Sequence, residues 1–430
     1  MKLLAALCCC VLIVSGCAAR DGDDIGSPVF NGTTPEGEVV VPPISTLPAP
    51  TVSAIRVPSE AFSIQAAVDM AQPGDLILVD PGVYNEEVLI STEDIVIRGR
   101  DRNQVFVDGI HSLNTGIQVN ANGVAIENLT VRNYLGDAIS VGSPVQAVPI
   151  DSFRAVHVTT SNTAQSGIAL RNVINAELQQ GWHSGHGNAG VLISECADCN
   201  TLVSSTLAEF SARGFSVVGV QGAVSVTSVT SRNNRAGIVI EDGETQASSG
   251  VVVAASIIQN NGFSTSPVQN PAFDTSFGVG IHVGGTNQTQ VLANRITGNT
   301  AAAVLLSENV NQTSGNPVGP RVERNVLLDN RAEDIVLAYR SAGVDPDLCI
   351  AGNGAARITP EAAQEAARCG LSTEPVPDFE WVTSDHDSIE YQNGPVPPTI
   401  DGMADADSAA PVPAGPVILP DPADATVPDA

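Results

Sequence analysis

The sequence predicts an all-β protein, a parallel β-helix of about ten coils that begins with a capping helix. Three observations favour this fold: short apolar runs recur about every 23 residues, asparagine recurs between them, and an amphipathic segment precedes the first strand. Such a period fits one coil, in which each strand pairs with its counterpart about 4.8 Å away. The alternative is a β-sandwich, but its hairpin turns would recur about every 8–12 residues, and the Asn-Gly pairs of this chain do not follow the repeat.

A helix is predicted just before the first strand. Ser63 is a suitable N-cap, and Pro73-Gly74 ends the helix. The apolar positions on one side of this helix are Ile64, Ala67, Val68 and Ala71. The strand that follows, Leu76 to Asp80, is short because every side of a coil is short. We expect the helix to lie across the open end of the solenoid, where it covers the core and the unpaired strand edge.

The repeat begins with apolar runs such as GIQV and GIVI, and the second residue of each run is its reference position. The reference positions are Ile117, Ile139, Ile168, Val191, Phe215, Ile238, Ile281, Val304 and Ile335. Strand alternation points each reference residue, and the residue two positions later, into the core.

A second repeated element ends in asparagine. The terminal asparagines are Asn133, Asn233, Asn260, Asn299 and Asn330, and further asparagines stand five residues earlier at Asn128, Asn294 and Asn325. Asparagine suits a corner of the coil, because it tolerates left-handed dihedral angles and its amide can bond its neighbour in the next coil.

The capping segment SIQAAVDMAQPGDLILVDPGVYNEEVLI, followed by IVIRGR and VFVDG, resembles the N-terminal coil of the pectin-lyase-like superfamily. The later units resemble the parallel β-helix repeats of that superfamily, and the resemblance covers roughly residues 55 to 340. It implies a right-handed parallel β-helix. It implies little about activity, because the superfamily contains lyases, hydrolases, epimerases and proteins with no known activity.

The N-terminus is expected to be processed rather than folded. Lys2 and the apolar run Leu3–Val14 have the pattern of a signal peptide. The sequence VSGC, which ends at Cys17, resembles the lipobox of bacterial lipoproteins and implies that Cys17 carries lipid. An ordinary cleaved signal is the alternative. We expect an exported protein at the cell membrane or outer surface, anchored to the membrane only through this lipid.

Composition restricts the partners and the folded length. The formal net charge is −28 and Lys2 is the only lysine, which argues against nucleic acid and disfavours a polyanion unless a cation bridges the two. The region from Leu371 to Ala430 contains 12 acidic residues, 11 prolines and no Lys or Arg, so it is predicted to be mostly disordered.

These features divide the chain into five segments. They are a signal peptide (1–16), a lipidated N-terminus and flexible linker (17–54), the β-helix (55–345), a C-terminal cap with a short helix (346–372) and an acidic, Pro-rich disordered tail (373–430).

One histidine is a weak catalytic candidate. His186 lies in SGHGN, which resembles the Gly-His-Gly piece of the superfamily's hydrolases, but the accompanying aspartates and the Arg-x-Lys are missing. A loop histidine is therefore the preferred interpretation. His183 and His186, with Cys196 and Cys199, also have the spacing of a zinc site. The strand predicted between the two pairs separates them, so a local Cys196–Cys199 disulfide or two unpaired thiols is favoured.

A second pair of cysteines flanks the sequence TPEAAQEAAR. Cys349 and Cys369 are predicted to form a disulfide that pins a short helix over the far end of the solenoid, and two buried thiols are the alternative. Thr359 is the expected N-cap of that helix, and Gly370 ends it.

Three carboxylates fall in one column of the repeat. Glu195, Asp242 and Glu308 each lie four residues after a reference position, and glycine occupies the intervening units at Gly219 and Gly285. Carboxylates two coils apart would be about 9.6 Å from one another. The column is a candidate catalytic, calcium or sugar site, and chance acidic residues at strand ends are the alternative.

The outer side of the repeated strand changes character along the chain. Its later coils carry the apolar residues Leu192, Val239, Leu305 and Val336. An insertion of about 20 residues that contains Phe263, Phe273 and Phe277 lies among these coils, and we expect it to cover the stripe. The alternative is an exposed stripe.

The predicted function rests on analogy through the fold. The sequence favours an exported, lipid-anchored protein that binds polysaccharide or another cell-surface glycan, with processing left open between polysaccharide lyase, glycoside hydrolase and no enzyme. Calcium is the one cofactor considered. The alternative is a non-catalytic structural or adhesive surface lipoprotein.

Overall fold

The computed structural model describes residues 52–244, 246–268, 275–308, 315–340, 345, 347–354, 356–370, 375–381 and 388–429. The signal peptide, Cys17 and Phe273 lie outside the described residues. Within the described residues, all strand pairings are parallel and successive strands wind as the predicted parallel β-helix. None of the helices described there is long and apolar enough to cross a bilayer.

Each coil has three sides, which we call faces 1, 2 and 3. Face 1 contains β4 (Val88–Ile90), β7 (Ile117–Val119), β10 (Ile139–Gly142), β13 (Ile168–Arg171), β20 (Ala236–Glu241), β23 (Ile281–Gly284), β26 (Ala302–Ser307), β29 (Glu333–Ala338) and β31 (Ile358–Thr359). Two longer strands, β16 (Ala189–Ser204) and β18 (Arg213–Thr227), continue from face 1 into face 2.

The other two faces complete the coil. Face 2 contains β1 (Ile55–Val57), β2 (Leu76–Val79), β5 (Val96–Gly99), β8 (Val124–Glu127), β11 (Ile150–Val156), β14 (Val173–Gln179), β21 (Val251–Ala254), β24 (Gln290–Leu292), β27 (Arg321–Glu323) and β30 (Cys349–Ala351). Face 3 contains β3 (Gly82–Tyr84), β6 (Val105–Asp108), β9 (Thr130–Arg132), β12 (Thr159–Ser161), β15 (Trp182–Ser184), β17 (Leu207–Glu209), β19 (Thr230–Arg232), β22 (Ile257–Gln259), β25 (Arg295–Thr297) and β28 (Val326–Leu328).

The predicted repeat is confirmed by the strand register. All nine reference positions pair in one continuous column on face 1, from Ile117 to Ile335. Each reference residue and the residue two positions later belong to the buried core. The chain therefore builds its core from stacked columns of Val, Ile and Leu, which explains how so few aromatic residues suffice.

The N-terminal cap is confirmed, with one correction. Helix α1 (Ile64–Met70) begins at the N-cap Ser63, whose hydroxyl accepts from the backbone of Ala66 at 3.0 Å. Its predicted apolar side is buried in the core. Leu76 does not begin the sheet, however, because β1 pairs with β2 ahead of it.

The C-terminal cap closes the opposite end as a 3-10 turn. Residues Glu361–Ala363 form the 3-10 helix, and Ala363, Ala366 and Ala367 are buried against the core. Thr359 belongs to β31 and is not the N-cap. The sulfur atoms of Cys349 and Cys369 are bonded at 1.98 Å, which ties this turn to the last strand of face 2.

Two ladders of asparagine amides run along the corners of the later coils. At the corner after face 2, Asn294 donates its backbone N–H and its amide to Oδ1 of Asn325, at 2.8 and 3.0 Å. At the corner after face 3, Asn299 bonds Oδ1 of Asn330 in the same way. The sequence assigned left-handed geometry and coil-to-coil bonding to the same asparagines. At the second corner two neighbouring residues share these roles. Asn260 has the positive φ, and the amide of Asn261 donates to Asn299 in the ladder.

Three residues of the outer stripe on face 1 are buried, as predicted, whereas Leu192 is half-buried and the cover differs in part from the expected insertion. Val239, Leu305 and Val336 are at most 2% exposed. Phe379 and Trp381, which follow the C-terminal cap, pack against the cluster that contains Leu305 and Val336. The insertion contributes Ser276, whose hydroxyl contacts the His282 ring of the same outward column at 2.7 Å.

The predicted disorder of the tail (373–430) is wrong for its described part. Residues 388–429 lie along the outside of the solenoid and bond it through side chains and carbonyl groups. Asn103 exchanges two hydrogen bonds with the backbone of Ile400, and Asn200 donates to the carbonyl of Val417 at 2.9 Å. The prediction considered only the apolar surface that the tail could bury, whereas these contacts are polar.

His183 and His186 are both interior residues: His183 belongs to β15, and His186 lies in the loop that follows this strand, as the preferred interpretation expects. Both rings are at most 1% exposed and meet at the Thr160 hydroxyl, 2.8 Å from His183 Nδ1 and 3.0 Å from His186 Nε2. Thr163 binds the other nitrogen of His186 at 2.7 Å. Burial lowers the pKa of His186 to about 3 and lowers that of His183 as well, so both rings are neutral at pH 7.

We expect the stability of the solenoid to fall as the pH decreases below 6.5. The unfolded chain then binds a proton that the buried His186 ring does not, which costs about 1.4 kcal/mol per pH unit and about 2 kcal/mol at pH 5. Urea unfolding at pH 7.5 and pH 5 should show that His186→Gln removes about this much of the loss. The half-buried His111 provides the control, and His111→Gln should remove less. Equal pH dependence in wild type and His186→Gln would contradict the assignment.

We expect the asparagine ladder to contribute strongly to stability. Asn299→Ala removes an amide that accepts from Asn261 and donates to Asn330, and it leaves buried groups unpaired. The free energy of unfolding should fall by about 2–4 kcal/mol in urea titrations. Asn260→Gly is the matched control: Asn260 is exposed with φ +54°, which glycine adopts freely, so this change should cost little.

Candidate functional site

The three candidate carboxylates share one edge of face 1. Ser194, Val218, Glu241, Gly284 and Ser307 pair in register, so the next residues, Glu195, Asp242 and Glu308 among them, follow in one column at the corner between faces 1 and 2. The predicted alignment of this column therefore agrees with the register of the strands.

The surroundings of these carboxylates do not form one open site. Asp242 is 6% exposed and accepts from the backbone of Ser248 at 2.7 Å, so it closes its own corner loop. Glu308 pairs with Arg340 at 3.1 Å.

The intervening glycines adopt a left-handed backbone geometry at this corner. Gly219 and Gly285 have φ of +62° and +72°, the geometry that this corner requires. A Cβ on Gly219 would lie 2.9 Å from Oε1 of Glu195, which shows that the Glu195 carboxylate occupies the space beside this glycine.

The calcium expectation can be compared with the metal-binding side chains that lie close together among the described residues. Calcium needs six to eight oxygen ligands. Among the described residues, one group of three side chains that could ligate a metal lies close together: Glu323, Cys349 and Cys369. The two cysteines of this group are bonded to each other. Cys196 and Cys199 are likewise joined, inside the corner between faces 1 and 2, while His183 and His186 bond Thr160 from face 3 and the turn after it. No zinc cluster of these four is found among the described residues.

A groove on the outer side of face 1 is the best candidate site. It has a volume of about 180 Å³ and lies over β20, β23, β26 and β29, where the segment 375–381 crosses them. Its walls are Glu241, Thr275, His282, Leu305, Ser307, Glu308, Ala338, Arg340, Phe379, Glu380 and Trp381. One carboxylate of the predicted column, Glu308, thus lies in this groove.

His282 is the centre of a hydrogen-bond network in the groove. Its Nε2 lies 2.7 Å from the Ser307 hydroxyl, and its Nδ1 lies 2.7 Å from the Ser276 hydroxyl. Oε1 of Glu241 is 3.7 Å from the same Nδ1. Burial lowers the pKa of His282, nearby Glu241 opposes this effect, and Arg213 adds to it.

The arrangement can bind polar groups and accept a proton. A neutral imidazole held against a hydroxyl has the composition of a base and a nucleophile. Trp381 adds a second polar feature, because its Nε1–H is buried without a partner among the described residues. Around these groups, Leu305, Phe379 and Trp381 supply apolar surface.

The sequence contains part of the signal for this groove. Leu305 belongs to the outward stripe that the sequence predicts, and His282 holds the same outward position one coil earlier, three residues before the carboxylate column. Ser307, Arg340 and Trp381 were missed. Ser307 and Arg340 stand at strand ends with no distinguishing motif, and Trp381 lies beyond the cap, in a region whose composition indicates disorder.

No family model and no curated protein matches this chain. Solved structures with similar folds include the A-module of the mannuronan C-5 epimerase AlgE4 from Azotobacter vinelandii, with 14% identity, 72% of this chain and 93% of that chain covered, and a TM-score of 0.42. An alginate lyase from Paenibacillus sp. str. FPU-7 has 12% identity, with 63% and 95% covered and a TM-score of 0.43. The pectate lyase Pel9A has 15% identity, with 65% and 73% covered and a TM-score of 0.39. At these values the assignment of this chain as a parallel β-helix protein rests on its own strand register.

Proposed function

We propose that this protein binds an uncharged polysaccharide in the groove on face 1. The observation that carries the proposal is the pairing, within one groove, of aromatic surface from Phe379 and Trp381 with hydrogen-bonding groups from Ser307, Glu308 and Arg340. A sugar ring presents apolar C–H faces and polar hydroxyl edges, so it uses both kinds of surface. Sites of this kind are mostly apolar with a few placed polar groups.

The charge of the groove selects against acidic sugars. Glu241, Glu308 and Glu380 line it with Arg340 as the one cation of its walls, and the whole chain carries a charge of −28. A carboxylated sugar would be repelled there. Its volume of about 180 Å³ is below the range of roughly 300–1,000 Å³ for sites that enclose drug-sized ligands. We therefore expect the groove to hold one part of a polymer that continues along the open face.

The alternative is a structural or adhesive surface protein without catalysis. In that case Phe379 and Trp381 only cover the apolar stripe of face 1, and sugars leave them unaffected. Whether a bound glycan is also converted is decided separately, by reducing ends and unsaturated-product absorbance measured with and without calcium.

The chain offers a direct optical test of the groove, because Trp182 and Trp381 are its two tryptophans. Trp182 lies on face 3, where its Nε1 donates to Glu209 at 2.9 Å. In Trp182→Phe, the remaining Trp381 should change its emission when a matching oligosaccharide from a panel of neutral β-glucans, xylans and mannans is added. Trp381→Ala should weaken binding, measured by calorimetry, at least tenfold, or about 1.4 kcal/mol.

The reciprocal variant is the control. In Trp381→Phe the emission comes from Trp182 alone and should not respond to the same sugar. If no neutral sugar perturbs Trp381, or if both variants respond equally, binding in this groove is wrong.

We also infer that the protein is exported and anchored through lipid on Cys17, since the lipobox resemblance follows a signal-peptide pattern. Cys17→Ser should move the protein from the membrane pellet to the soluble fraction of the cells that express it, because a single residue carries the attachment. Ala18→Ser, which leaves Cys17 in place, should stay in the pellet. Retention of Cys17→Ser in the membrane pellet would exclude this anchor.

A further inference from the structure

Three of the chain's 19 basic residues lie within the five residues Arg98 to Arg102, and the groove on face 1 uses none of them. Arg98 pairs with Glu127 at 2.6 Å. Arg100 pairs with Asp80 at 3.1 Å and, by a second nitrogen, with Asp407 of the tail at 2.8 Å. Arg102 differs from both, because its hydrogen-bond partners among the described residues are carbonyl groups rather than carboxylates.

Arg102 is a buried cation with unused donors. The residue is 2% exposed. Its Nη1 donates to the carbonyls of Gln180 at 3.2 Å and Asp401 at 3.0 Å. Its Nε and Nη2 are buried without a partner among the described residues. These two nitrogens form the edge of the guanidinium that binds both oxygens of a carboxylate, sulfate or phosphate.

Burial of this charge is costly without an anion. Moving a cation out of water costs several kcal/mol unless it is paired and hydrogen-bonded. Burial lowers the pKa of Arg102 to about 10, which still leaves it charged at pH 7. A bound oxyanion would supply the compensation that Glu127 and Asp407 supply to the other two arginines.

A second polar group accompanies Arg102. Burial and the nearby charge of Arg102 lower the pKa of His157, and the backbone of Asp401, the tail residue whose carbonyl accepts from Arg102, opposes this shift. The Nδ1 of His157 is buried without a partner among the described residues. Two side chains with unused nitrogens therefore meet beneath one tail residue.

The tail covers these two side chains and is fastened on both sides of them. Before Asp401, the backbone of Ile400 exchanges two hydrogen bonds with Asn103. After it, Met403 donates to Asn128 at 2.7 Å, and Asp407 pairs with Arg100. These contacts join tail to solenoid through side chains, and the described residues of the tail add no strand to the sheets. A segment held in this way can separate from the surface without breaking a sheet.

We propose that Arg102 and His157 form a binding site for an oxyanion group, and that residues 401–403 of the tail are its lid. The ligand is a carboxylate, sulfate or phosphate, either free or carried on a chain. The Asp407–Arg100 pair acts as the latch, because it holds the tail four residues beyond the lid. This site lies at the corner between faces 2 and 3, and it is independent of the groove on face 1.

The first experiment is thermal unfolding of the full chain in sodium sulfate or phosphate against sodium chloride at equal ionic strength. Sulfate stabilises most proteins by exclusion, so the difference between variants is the measure. Wild type should gain about 2 °C or more over Arg102→Met at saturating anion. Arg102→Lys, which keeps the charge and loses the two-nitrogen edge, should resemble Arg102→Met. Arg368→Met is the control, because Arg368 is exposed and pairs only with Glu365 among the described residues.

The second experiment tests the lid and does not depend on the stability of an Arg102 variant. Asp407→Asn weakens the latch, so it should speed hydrogen exchange at Met403 and tighten sulfate binding at least threefold, because less of the protein is in the closed state. Polygalacturonate and dextran sulfate, compared with neutral dextran, show whether the site also takes anions carried on a polymer. Bound anion should raise exchange at Met403 in wild type.

Two results would overturn the proposal. One is equal stabilisation of wild type and Arg102→Met by sulfate. The stabilisation would then come only from the general exclusion of sulfate from protein surfaces. The other is binding that leaves exchange at Met403 unchanged, which would place the anion elsewhere. Response to the free anions alone assigns the site to a small ligand, and response to the polymers as well assigns it to an anionic group on a chain.

Discussion

Parallel pairing between coils is the interaction on which the rest of this structure depends. Each strand residue must lie directly beside its counterpart in the next coil, about 4.8 Å away, so the chain is organised in columns. Nine reference residues spaced unevenly along the sequence still fall into one column on face 1. Insertions between the coils do not disturb this register, because they leave at the corners and return to the next strand.

The same constraint decides what a polar residue can do inside the solenoid. A buried amide at a corner finds the equivalent position of the next coil as its nearest partner, which is why asparagines stack in ladders. His183 and His186 follow a related rule, since both rings bond Thr160 one coil away. The Gly-His-Gly sequence around His186 resembles part of a catalytic motif. In the folded chain its histidine is buried and bonds Thr160 inside the core.

The sequence predicts best those features whose residues lie close together along the chain. The reference column, the capping helix and the Cys349–Cys369 pairing are each signalled by neighbouring residues, and the structure contains all three. The groove is signalled less well, since Trp381 reaches Leu305 from about 75 positions along the chain. The column of carboxylates was aligned correctly, but its glycines serve the positive φ of the corner, a geometric requirement that spacing alone does not reveal.

The C-terminal region shows why composition alone misjudges such a chain. A proline-rich, acidic segment with little apolar surface cannot fold by itself, yet here it lies on a surface that is already folded. Arg98 illustrates the difference: it is 1% exposed and donates to the carbonyls of Ala406 and Ala409 as well as to Glu127. Backbone carbonyls are present in every residue, so an extended segment can accept hydrogen bonds from buried arginines, as it does beside the Arg98–Glu127 pair. Trp381 completes the groove on face 1, and Asp401 covers Arg102, so residues after 375 contribute to the chemistry of both surfaces of the solenoid.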